Sequence, residues 1–145
     1  MSEVREITVL AVTKMHGGVC SAGIDSTGKW VRPIRVSPRS EFDHAGVTDY
    51  CLLPIDFFHG GRSHLVNLGV TRISLAKPCP QPPHIEDWLL DTGTKPELIR
   101  KLSGQEQEHF LASHTDRDLT MLDPLEVRSL ALIEPGVAGS YILDK

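Results

Sequence analysis

The chain has 145 residues, of which 40% are hydrophobic and 23% charged, with a net charge of −4 at pH 7. That length suits one domain able to bury about two-thirds of the surface its unfolded chain exposes, and the composition is globular rather than disordered. No apolar run approaches the ~18 residues of a bilayer span, the acid-bearing N-terminus lacks the apolar stretch of a secretory signal, and a whole-chain basic footprint for nucleic acid is excluded.

Ile7 to Thr13 is β-rich and almost continuously apolar, which predicts a buried strand. His16-Gly17-Gly18 breaks it, and Val19 to Ile24 resumes as a second strand. Asp25-Ser26-Thr27-Gly28-Lys29 is a turn, with Gly28 able to supply positive φ. Trp30 to Val36 is a third strand, which makes a three-strand meander. Residues 37–50 read as a polar loop. Cys51 to Phe58 is a fourth strand candidate interrupted by Pro54, and Val66 to Leu75 a fifth, with Gly69 marking a bulge.

Lys77 to Pro83 carries four prolines and forms an extended link. Thr94-Lys95-Pro96-Glu97 is a capping box that predicts a helix over Leu98, Ile99 and Leu102. Ser103-Gly104-Gln105-Glu106 is a second such box leading to Phe110 and Leu111. Leu125 to Ile133 and Ser140 to Leu143 are further strands. The expected fold is mainly β with short inserted helices, an OB-like β-barrel. It is expected as a single domain over 1–145, with a Pro-rich link at 77–84 and a helical insert at about 94–115.

Four segments carry a further signal: Val9 to Asp25, Gly28 to Arg35, His84 to Trp88, and Arg128 to Ile133. Together they resemble the dual-OB (DuOB) family of prokaryotic proteins. The resemblance implies OB-like barrels and a link to nucleic-acid transactions, and it carries over no catalytic residues. A two-barrel family implies that this chain supplies one barrel unit or is a short member.

Residues 1–40 hold six basic and three acidic side chains, a net of +3 on a chain that is otherwise acidic. Four of the six, Lys29, Arg32, Arg35 and Arg39, fall within eleven residues. Strand alternation puts Trp30, Arg32 and Ile34 on one face and Val31 and Arg35 on the other. An aromatic beside an arginine can stack a base while the guanidinium meets a phosphate. The competing reading makes Trp30 core and pairs Arg32 with a buried acid, Glu86 or Asp87.

His84, Glu86 and Asp87 precede Trp88. They could bind a ligand or work as an acid/base pair, or they could lock the segment while Trp88 anchors it in the core. A zinc set of His16, Cys20, Cys79 and His84 has the right ligand types but loose half-sites, and no metal or cofactor is expected. His59 to His64 is either an anion-binding loop or a plain hairpin.

The leading expectation is a cytoplasmic, non-catalytic binding domain for nucleic acid or a nucleotide-like ligand. Its candidate site residues are Trp30, Arg32, Arg35, Arg39, His84, Glu86 and Asp87, and its partner is single-stranded nucleic acid. A protein-interaction accessory module is the first alternative, and a small enzyme using His84 and Glu86 the second. No membrane partner is expected.

Overall fold

The computed structural model describes residues 2–15, 18–35, 51–80 and 85–116, together with Leu132. Strand accounts for 52% of them and helix for 16%, and five strands close into a barrel. The strand predicted over 125–133, apart from Leu132, and that over 140–143, with the loop at 37–50, lie outside the described residues.

β1 (Glu3–Met15) and β2 (Gly18–Asp25) pair antiparallel from Ile7 to Met15, with a register shift between Val9 and Ala11. The turn after β2 is organised by Asp25. Its Oδ1 accepts hydrogen bonds from the backbone N–H groups of Thr27 (2.9 Å) and Lys29 (3.0 Å) and from the Thr27 hydroxyl (2.6 Å). Gly28 takes φ of 88° there, a conformation that costs a residue with a Cβ. β3 (Trp30–Ile34) returns along β2. Val31 is fully buried, whereas Trp30 and Arg32 on the opposite face are half-buried.

Cys51 to Phe58 departs from the strand expected there. Leu52 makes one bridge to Val19, and Pro54 then opens a single-turn helix, α1 (Pro54–Phe57). Proline suits this place because the first helical N–H has no intrahelical partner. Asp56 also caps the turn by accepting the Leu53 N–H at 2.8 Å.

β4 (Phe58–His59) and β5 (Arg62–Ser63) form a hairpin across Gly60 and Gly61, both at positive φ, as a two-residue primed turn requires. The plain-hairpin reading of 59–64 therefore describes the backbone. The His59 and His64 rings stack at 3.7 Å.

β6 (Gly69–Pro78) holds the barrel together. One edge pairs with β1 over Val70 to Leu75. The other edge carries β8 (Glu97–Lys101) over its first half and β7 (Asp87–Leu90) over its second. β7 runs parallel to β3, with Arg32 opposite Asp87, and this contact closes the ring β1-β2-β3-β7-β6-β1. A parallel closing pair reached through a long crossover is the Greek-key connection of an OB barrel. Ile7, Val9, Val31, Leu52, Ile73, Leu75 and Leu90 fill the interior.

The helix predicted from Thr94 is absent. Residues 97–101 are strand β8, with Leu98 buried and its neighbours exposed. Pairing with β6 satisfies this backbone, and the Leu98 N–H donates to His64 Nδ1 at 2.9 Å. These non-local contacts override a weak local helix preference. The second capping box does open a helix, α2 (Gly104–His114), with Ser103 and Glu106 bonding each other's backbone N–H groups. It is the longest helix among the described residues.

Candidate binding groove

A groove of about 430 Å³ opens between β1, the β2–β3 turn and the start of β7. Arg5, Gly28, Lys29, Trp30, Ile85, Glu86 and Trp88 line it. Trp30 and Trp88 are the chain's only two tryptophans, and barrel closure brings them to one surface although they lie on non-consecutive strands.

Arg5 is the organising cation. Its guanidinium lies 4.1 Å above the Trp88 ring, a cation–π contact. Its Nε bonds Glu3 at 2.6 Å and its Nη1 bonds Asp25 at 3.2 Å. The side chain is thus held in place by three contacts. A neighbouring hollow of about 490 Å³ shares Arg5 and Lys29 and extends to Arg72. The cations therefore sit where the two concavities meet. Trp30 Nε1 is buried and has no hydrogen-bond partner among the described residues.

Burial raises the Asp25 carboxyl pKa, but hydrogen bonds from Thr27 and Lys29 and the Arg5 charge outweigh that effect and hold it below its ordinary value. A carboxylate depressed by folding stabilises the fold fully above its unfolded pKa of about 3.9, and this contribution is lost as pH falls through and below that value. Asp25→Asn is therefore expected to flatten the acid limb of the stability profile below about pH 4. Urea unfolding at a series of pH values checks this, and an unchanged acid limb contradicts it.

Arg32 does not point to solvent. Its Nε and Nη2 donate to the two carboxylate oxygens of Asp87 at 2.6 and 2.8 Å. Asp87 is 1% exposed, and its hydrogen bond raises the Arg32 pKa further above the ordinary value. This is the pairing with a buried acid that strand alternation left open. Arg35 lies 3.4 Å from Asp56. Glu86 is buried, and its backbone carbonyl accepts the Arg32 N–H at 3.0 Å. Arg39 and His84 lie outside the described residues.

Trp88 is half-buried rather than a full core anchor: it packs against the core, with Arg5 over its ring. Sequence reasoning missed Arg5 and Lys29 as partners of Trp30. The only local signal was Lys29 directly before Trp30. Of the zinc set, His16 and His84 lie outside the described residues, and Cys20 Sγ sits 3.5 Å from Cys51 Sγ.

The family model for the dual OB-containing domain matches residues 5–129. That span covers the barrel apart from the first two residues of β1, and the whole groove. The chain belongs to this family. Searches of curated proteins and of solved structures return no match. As a dual-OB family member with a closed five-stranded barrel, the chain has the architecture of an OB-type binding module. Among the described residues, no helix is long and apolar enough to cross a membrane.

Proposed function

We propose that this dual-OB barrel binds single-stranded nucleic acid, or a nucleotide-like ligand, non-catalytically in the groove between Trp30 and Trp88. The observation that supports this most is the convergence of both tryptophans with Arg5 and Lys29 on one concave surface. Indoles offer stacking faces that suit any base, and adjacent cations meet the phosphates. Ile85 and Glu86, directly before β7, line the groove, and in OB folds a loop entering the last barrel strand contacts oligonucleotides. In this reading Arg32 and Asp87 fix β3 to β7 and so set the distance between the two indoles, while Lys29 and Arg5 supply the charge.

Fluorescence polarisation with short labelled single-stranded DNA and RNA at low salt tests the proposal. Trp88→Ala is expected to weaken binding by about 5- to 150-fold, from the 1–3 kcal/mol of one stacked base. Lys29→Ala, at an exposed position, should weaken it without affecting folding. Two phosphate contacts give a log–log salt slope near −1.4, at ~0.7 per phosphate on a single strand. Absence of binding to either oligonucleotide, or binding that both substitutions leave intact, contradicts the proposal. Exposed Ile55 and Phe58 on α1 and β4 favour the alternative, a protein-interaction module. A partner held through them would bind with little salt dependence.

A further inference from the structure

Cys20 and Cys51 are both reduced thiols, 31 positions apart in sequence, with their Sγ atoms 3.5 Å apart. The backbone explains the approach. Val19 and Leu52 exchange both antiparallel hydrogen bonds, at 2.7 and 2.8 Å. Cys20 and Cys51 occupy the next position of that register, a non-hydrogen-bonded pair in which Cα atoms stand about 4.5 Å apart and the side chains share one face. That separation falls within the range a disulfide bridges without backbone movement. Gly18 lies on the same face of β2, where a Cβ would fall 2.6 Å from Cys51 Cβ. Its missing side chain makes the room in which the Cys51 thiol turns toward Cys20.

We propose that Cys20 and Cys51 form a redox cross-link site, oxidised to an intramolecular disulfide by low-molecular-weight disulfides. Cys20 is the more exposed of the two and reacts first. Its thiol loses a proton, and the thiolate attacks one sulfur of the reagent disulfide and expels one reagent thiolate. Cys51, deprotonated in turn, attacks Cys20 Sγ of the mixed disulfide and expels the second reagent thiolate. Two protein thiols are oxidised and one reagent disulfide is reduced to two thiolates, which take up the two protons the protein thiols gave up and leave as thiols. Burial, followed by the hydrogen bond and the charge of Cys51, pushes the Cys20 pKa up to about 11. Exchange is therefore slow near neutrality and speeds up as pH rises. The loop that the cross-link closes contains Lys29 and Trp30, two of the residues that line the groove.

The test is incubation of the purified full chain with oxidised glutathione at pH 8.5, followed by thiol titration and peptide mapping without reductant. Accessible thiols of the denatured protein should fall from three to one, leaving Cys79, and a peptide pair joined through Cys20 and Cys51 should appear. The oxidised protein should melt roughly 10 °C higher than the reduced one, because the bond removes loop-closure entropy from the unfolded chain. Cys20→Ser and Cys51→Ser should each abolish the linked pair. Retention of three thiols, a cross-link to Cys79, or dimers joined through Cys20 overturns the proposal. None of these readouts depends on nucleic-acid binding.

Discussion

Arg32→Ala is expected to destabilise the fold by about 3–5 kcal/mol, because it leaves the buried Asp87 carboxylate without its counter-charge. The Asp87 side chain is 1% exposed and that of Arg32 18%. Water therefore cannot replace the guanidinium as it would on an open surface, where such a pair contributes little. The geometry is bidentate, so two charge-assisted hydrogen bonds vanish together. Position adds to the effect, since Arg32 and Asp87 face each other across the parallel pair that closes the barrel. The double variant Arg32→Met/Asp87→Leu is expected to recover most of the loss, because an apolar pair carries no unmatched charge. Urea unfolding of the single and double variants measures both effects. A loss below about 1 kcal/mol for Arg32→Ala would show that the pair behaves as an exposed ion pair.

Gly23→Ala is expected to cost about 3 kcal/mol, the upper part of the range for overpacking. A Cβ at Gly23 would fall 2.3 Å from the Thr8 carbonyl oxygen and 2.5 Å from Ile7 Cγ2. The first of these is backbone in the longest strand, so no side-chain rotation relieves the clash. Gly23 pairs with Val9 on one edge and Val31 on the other, and both of those side chains belong to the core. Displacing β2 there loosens two ladders at once. Gly28→Ala provides the contrast, because nothing lies within 4 Å of its would-be Cβ and only the positive φ is strained. Its cost should be about 1 kcal/mol. Thermal melts of the two variants separate the mechanisms, and equal losses contradict this assignment.

The meander of β1 to β3 was legible in the sequence because its signals are local. β-Branched runs, an aspartate-led turn and Gly28 at positive φ all act within a few residues. Elements whose choice depends on distant partners were not legible. Thr94 to Leu102 presents a capping box and leucines four apart, yet β6 and the His64 ring offer its backbone better partners and it becomes β8. Cys51 to Phe58 reads as strand from its apolar content, but Pro54 and Asp56 make the opening of a helix. The acid that pairs with Arg32 was narrowed to Glu86 or Asp87. Only the parallel register of β3 and β7, set by barrel closure, selects Asp87. The groove was legible in part. Trp30 and Glu86 were named as site residues, and Lys29 and Trp88 stood beside them in the sequence, whereas Arg5 joins them only through the closed sheet and leaves no spacing pattern along the chain.

The two tryptophans also provide the most direct test of the binding groove. Each indole N–H gives its own resonance in a proton–nitrogen correlation spectrum of the full chain, and Trp88→Phe assigns the pair. Addition of a short single-stranded oligonucleotide at low salt is expected to move both resonances, with the backbone signals of Gly28 and Lys29 moving alongside them. Both indole resonances staying in place while signals elsewhere shift, or no signal shifting at all, would contradict a groove that binds between Trp30 and Trp88.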